Sequence, residues 1–93
     1  MLSQIPIDLT KISEKNLDQE LLRVGIIAEL DAVSLYEQLA AATGNEQIKK
    51  VFLDIAREEK THVGEFQALL LQLDQEQKEE LQKGAKEIAE LTE

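Results

Sequence analysis

The chain has no cysteine, one proline and one histidine, and its basic residues are outnumbered almost two to one by acidic ones. Without thiols it can form no disulfide, no thiolate zinc site, no rubredoxin-type iron site and no iron–sulfur cluster. With 19 acidic against 10 basic residues and a formal charge of -9, it lacks the clustered Lys and Arg that displace counterions from nucleic acid. No segment approaches the ~20 consecutive apolar residues that span a bilayer, so a membrane partner is not expected. The opening MLSQIPIDLTKI has neither the basic start nor the long apolar run of a signal peptide. A cytoplasmic address, or a compartment filled from the cytoplasm, is the expectation.

What the sequence does have is apolar residues, 43% of its 93 positions. A chain this short buries a modest fraction of its surface, so the surplus points to an oligomer in which a partner completes the core. The residues are patterned for helix. Residues 1–12 hold Pro6, with Ile5, Ile7 and Leu9 alternating with polar positions, and are read as an extended arm. A first helix is expected over 13–42, capped by Ser13 or by Asn16 with Gln19 three positions on. It presents Leu22, Ile26, Val33 and Ala40 on one stripe. Gly25 lies at the edge of that stripe, where it lets another helix come close. Thr43-Gly44-Asn45-Glu46 reads as a tight turn, with Gly44 at positive φ and Asn45 capping the next helix. That second helix, 45–73, buries Ile48, Phe52, Ile55, Phe66, Leu70 and Leu73, flanked by Val51, Val63 and Leu69. A short third helix, 75–91, follows Asp74 and carries a thin apolar face of Leu81, Ala85 and Ile88; the same stretch reads equally as a continuation of the second helix or as a frayed tail. The expected fold is all-α: one domain, 1–93, an antiparallel two-helix hairpin plus a short C-terminal helix. Paired with a second copy it makes a four-helix bundle.

Three residues stand out from this plan, although His62 also reads as a core histidine hydrogen-bonded to a backbone carbonyl, and Glu29 and Glu59 as side chains that reach solvent at a groove edge. Glu29 falls at the centre of the Leu22–Ile26–Val33–Tyr36 stripe and Glu59 at the centre of the Phe52–Ile55–Phe66–Leu70 stripe. Carboxylates on an apolar face are costly unless paired, protonated or metal-bound. Glu29 stands 15 residues before Gly44 and Glu59 15 after it, so in an antiparallel hairpin they share one height. His62 is one turn beyond Glu59. Glu-x-x-His alone is a common chance pattern; its weight here comes from phase and depth together. One Glu plus one Glu-x-x-His is half the ligand set of a ferritin-like di-iron centre, and a two-fold axis would supply the other half. Two ions ~3.5–4 Å apart suit such a cluster, with iron first and manganese, zinc or calcium as surrogates. Tyr36 lies on the same stripe as Glu29 and is read as a ligand neighbour or as packing.

With these residues in view, the chain resembles the ferritin-like superfamily and most closely the encapsulated ferritins. The likeness runs over residues 22–70, through Glu29, Tyr36 and the segment Ala56-Arg57-Glu58-Glu59-Lys60-Thr61-His62-Val63-Gly64-Glu65-Phe66, which is similar to rubrerythrins too. The resemblance implies that Glu29, Glu59 and His62 are iron ligands, with Glu59 bridging two ions. Tyr36 would stand beside the centre, and a ring of dimers would oxidise Fe2+ to Fe3+ as a ferroxidase supporting iron storage within an encapsulin nanocompartment. Three positions depart from the pattern. Leu35 stands where a tryptophan is frequent. Ala28 replaces an entry-side carboxylate, Asp31 matching only in part. The closing Ala-Glu-Leu-Thr-Glu shows no encapsulin-docking tail of glycine, leucine and basic residues. Free cargo and a domain of a shell fusion therefore both stay open, as do two alternatives in function, a non-catalytic helical dimerisation or adaptor module and a rubrerythrin-like di-iron peroxidase.

Overall fold

A computed structural model describes residues 4, 8–11 and 13–93. Most of the expected arm, 1–12, therefore lies outside the described residues. Within it, Asp8 Oδ1 accepts from the Thr10 amide at 3.0 Å at the head of a 3₁₀ turn, Leu9–Lys11. A second 3₁₀ turn, Glu14–Asn16, leads into α1, Leu17–Ala42. The first helix thus starts later than 13, and neither Ser13 nor Asn16 caps with its side chain. The tighter 3₁₀ winding takes up the backbone groups that a cap would otherwise satisfy.

Between α1 and α2, Glu46–Leu73, the turn departs from the expected left-handed glycine. No described residue has positive φ, Gly44 included. The chain instead leaves α1 through an extended Thr43 (φ -80, ψ 140), whose amide still bonds Leu39 O, and enters α2 through an extended Asn45 (φ -94, ψ 118). Asn45 Oδ1 accepts from the amides of Gln47 at 2.9 Å and Ile48 at 3.1 Å, and the Asn45 amide donates to Thr43 Oγ1. Two side chains therefore hold the turn by hydrogen bonds, and the backbone needs no left-handed residue.

Asp74 ends α2 and starts α3, Gln75–Leu91. One carboxylate oxygen caps α3 through the Gln77 amide at 3.0 Å. The other takes Arg23 Nη2 at 2.8 Å, while Gln19 Nε2 donates to Leu73 O at 2.9 Å. The corner is thus tied back to the start of α1, so α3 is neither a continuation of α2 nor a frayed tail. It projects from the hairpin, giving a thin body of 47 × 44 × 20 Å.

The seam between α1 and α2 is narrow. Among the described residues, Val33, Ala40, Ala56 and Leu70 form the buried apolar core, and small residues here let the helices lie close. Ile48 and Leu73, expected inside, are 45% and 50% exposed, and Val51 and Leu69 are open as well. One neighbouring helix covers only part of the apolar width of α2, and these four fall to one side of the seam. Together with Ile55 and His62 they recur at intervals of three, four or seven residues, and so line one uncovered face of α2.

The turn yields a direct test. Gly44→Ala, at a φ that alanine can adopt, should leave urea-melting stability unchanged or raise it by up to about 1 kcal/mol. Asn45→Ala, which deletes the cap, should cost about 1 kcal/mol. A marked loss in the glycine variant would restore the left-handed turn.

Candidate metal centre

The helices deliver Glu29, Glu59 and His62 to one point. Each offers a donor atom, and the three atoms lie within 4.8 Å of one another, the one such group among the described residues. His62 Nδ1 stands 3.3 Å from Glu29 Oε2 and 3.3 Å from Glu59 Oε2. The tilt of helical side chains toward their own N-terminus explains this meeting. Because α1 and α2 are antiparallel, Glu29 leans away from the turn and His62 leans toward it, so the imidazole reaches both carboxylates.

Those distances exceed the usual 2.7–3.2 Å of an N–H···O bond, and one Nδ1 cannot donate well to two oxygens. They do match the separation of ligand atoms on a single ion. At bond lengths of ~2.1 Å, neighbouring ligands stand ~3.0 Å apart in an octahedral shell and ~3.4 Å in a tetrahedral one. Two carboxylate oxygens and an imidazole nitrogen, with no sulfur, are donors that hard or borderline divalent ions accept. The residues present therefore fit a metal ion.

The triad is not sealed in the hairpin. The side chains of Glu29 and Glu59 are 20% and 18% exposed and that of His62 is 44% exposed. They sit at the edge of the α1–α2 seam and open toward the uncovered apolar face of α2. The carboxylates are flanked by packing rather than buried at the centre of a core.

Tyr36 takes a different place. Its ring stacks on Phe52 with centroids 6.1 Å apart and planes at 28°, both residues standing eight from Gly44. Tyr36 lies two turns from Glu29 and makes no hydrogen bond to the triad. Other acidic residues of the hairpin stand apart from the triad. Glu37 pairs with Lys60 at 3.3 Å across the helices, and Asp54 pairs with Arg57 at 2.7 Å, a contact that lowers the Asp54 carboxyl below its ordinary pKa. Glu58 and Glu65 are exposed on α2. Asp31, matched to an entry-side carboxylate in the sequence, is instead the one buried charged residue among those described. Two residues beyond Glu29, it turns ~200° around α1, which puts it on the opposite side of the helix from the triad. Helical phase alone is enough to show this.

Comparison with known proteins places this geometry among relatives. A family model described as Rubrerythrin matches residues 20–93. A ferritin-like-encapsulin shell fusion protein of Pyrococcus furiosus is 60% identical over 73 residues, 78% of this chain and 21% of that protein. The encapsulin nanocompartment cargo protein EncC of Myxococcus xanthus is 39% identical over 69 residues, 71% of this chain and 53% of that protein. The chain thus spans about a fifth and about half of the curated relatives it matches. The crystal structure of the encapsulated ferritin domain from Pyrococcus furiosus superposes with a TM-score of 0.84 at 53% identity, covering 99% of this chain and 96% of that one.

Metal binding at the triad should register as stability. Zinc at about 100 times its dissociation constant should add about 2.7 kcal/mol to the wild type, and a chelator should remove the gain. His62→Ala should melt alike with and without zinc. In chelated protein, Glu59→Leu should melt no lower than wild type, since it deletes an uncompensated carboxylate.

Proposed function

The chain belongs to the rubrerythrin family of ferritin-like domains, and from that premise we propose that two copies join across their uncovered α2 faces to form a ferroxidase centre that oxidises Fe2+ to Fe3+. The observation that carries this reading is the triad itself, set at the edge of an apolar face that nothing within the described chain covers. One triad has too few donors for two ions. A two-fold axis beside His62 doubles it to four carboxylates and two imidazoles, the donor inventory of di-iron carboxylate bundles. The same operation buries Ile48, Val51, Leu69 and Leu73 against their mates, which turns residues exposed in one chain into core. On this reading residues 1–93 are a single half-bundle domain, and a ring of dimers is the next level of assembly.

Fe2+ is the substrate, two ions per dimer, with manganese, zinc or calcium able to occupy the same donors. The carboxylates hold the ions and favour the product, because hard anionic oxygens stabilise the higher charge of Fe3+ more than that of Fe2+. Glu59 is the proposed bridge between ions and His62 Nδ1 the neutral ligand. Each Fe2+ gives up one electron, and dioxygen or peroxide takes them in pairs. Exposed Glu58 and Glu65, with the net negative field of the chain, draw cations toward the site. Tyr36, two turns from Glu29 and stacked on Phe52, is an electron donor across that distance or a packing ring. One curated relative is named as fused to an encapsulin shell and another as encapsulin cargo. The proposed setting is accordingly the interior of an encapsulin nanocompartment, with the shell as partner and iron storage as the outcome. The second reading, a di-iron peroxidase, is favoured by the family match to rubrerythrin. With no cysteine in the chain, its electrons would come from an external donor.

Stopped-flow oxidation of Fe2+ under dioxygen tests the reading. Glu59→Ala and His62→Ala should each slow the rapid phase by about 100-fold, and normal rates in both would remove the ferroxidase assignment. Sustained turnover of peroxide with an added reductant would select the peroxidase instead. Tyr36→Phe keeps the stack on Phe52 and deletes only the hydroxyl. A fall of about tenfold in the same phase would identify the hydroxyl as part of the chemistry, whereas a rate within about twofold of wild type would leave the ring as packing.

A further inference from the structure

One contact lies a single turn from the triad and contributes no donor to it. Gly25 is four residues before Glu29 on α1, and Phe66 is four residues after His62 on α2. A Cβ built on Gly25 would stand 3.1 Å from Phe66 Cδ2, 3.2 Å from Cε2 and 3.6 Å from Cγ. The ring edge thus occupies the space that a side chain at position 25 would take. The backbone of Gly25 has no positive φ, so its conformation does not require glycine. A glycine inside a helix costs about 1 kcal/mol relative to alanine, and what this one permits is close approach. Gly64 and Gly84 differ, since a Cβ on either would meet nothing within 4 Å.

On the other side of the triad, toward the turn, the Tyr36–Phe52 stack ties the same two helices together seven residues from Glu29 and seven from Glu59. The donor layer is therefore held between two aromatic contacts. The stack joins two full-sized rings, while the contact beyond His62 brings a ring directly against backbone. A helix segment of one turn moves nearly as a body, and close-packed interiors pass strain on rather than absorb it. Where the backbone of Phe66 shifts with its ring, a displacement of a few tenths of an ångström is carried to His62, one turn away.

We propose that the Gly25–Phe66 contact is the spacer that sets the gap between Glu29 and the Glu59–His62 pair, and with it the size of the ion the triad prefers. The inference rests on the reading of the triad as a metal site. Gly25 and Phe66 are positioning residues; neither touches the ion. Coordination tolerates departures of only about 0.2 Å in ligand distance. Relief of a 3.1 Å contact toward ordinary van der Waals separation exceeds that margin if the helices part to provide it. Such widening disfavours a small ion such as Zn2+ more than the larger Mn2+.

Calorimetric titration of the full chain with Zn2+ and with Mn2+, beside melting of the metal-free protein, tests the spacer. Gly25→Ala should weaken Zn2+ binding about tenfold and Mn2+ binding about twofold, a shift of about fivefold in their ratio. Gly25→Ala combined with Phe66→Leu, which makes room for the added methyl, should bring the ratio back to within about twofold of wild type. Gly84→Ala, with the same change in helix propensity and no contact, should leave the ratio unmoved. Phe66→Leu alone, which deletes the spacer without adding bulk, should shift the ratio toward Zn2+ and keeps the test decisive should Gly25→Ala not fold. Equal losses for both ions in Gly25→Ala, or a changed melting temperature with an unchanged ratio, would overturn the spacer and leave the contact as packing alone. If wild-type protein binds neither ion, the metal-site reading fails and the spacer falls with it; if it binds both and no variant moves the ratio, the spacer alone is lost.

Discussion

Two carboxylates brought to the same imidazole nitrogen, one from each helix of a hairpin, form the arrangement around which the rest of the molecule is organised. Glu29 and Glu59 each stand 3.3 Å from His62 Nδ1, and negative charge concentrated beside apolar side chains is unfavourable without a cation or protons to balance it. On the proposed reading, the cluster costs stability in one isolated chain and a bound cation relieves that cost. Placing it at the seam edge reduces that cost, because solvent still reaches the donors of a single chain.

The shape of the hairpin follows from the same requirement. Small residues at Ala40 and Ala56 let α1 and α2 run close enough for short acidic side chains to meet one ring nitrogen. The narrow seam then leaves Ile48, Val51, Leu69 and Leu73 uncovered beside the donors. An open apolar strip next to an incomplete ligand set is what the proposed pairing of two copies rests on. The corner at Asp74 serves the opposite end, where a single carboxylate caps α3 and grips Arg23. That double use directs α3 away from the hairpin and leaves the strip clear.

Several features are legible in the amino-acid sequence alone because each depends on counting along one chain. Helical period locates the apolar stripes, and equal distance from Gly44 puts Glu29 and Glu59 at one height. The same count pairs Tyr36 with Phe52, although aromatic residues on an apolar stripe look like ordinary core and the pattern does not single out their stack. Other expectations fail where the outcome depends on competition between local solutions. A glycine at the end of a helix suggests a left-handed Gly44, yet Thr43 and Asn45 satisfy the turn by side-chain hydrogen bonds. Ser13 and Asn16 both suit a cap, and a 3₁₀ turn replaces either. Ile48 and Leu73 belong to the apolar stripe of α2 but not to the sector that α1 covers.

What the residues determine by themselves is which side of each helix is apolar, where the chain reverses, and which donors share a level. These rest on the fixed rise and rotation of the α-helix, properties of the backbone that neighbouring elements do not change. The rotation of one helix against the other is decided only in three dimensions. An apolar face more than 100° wide can meet its partner at many angles, and steric fit between particular side chains selects among them. Phe66 against Gly25 and the closeness allowed by Ala40 and Ala56 turn α2 so that His62 reaches both carboxylates while four aliphatic side chains remain outside.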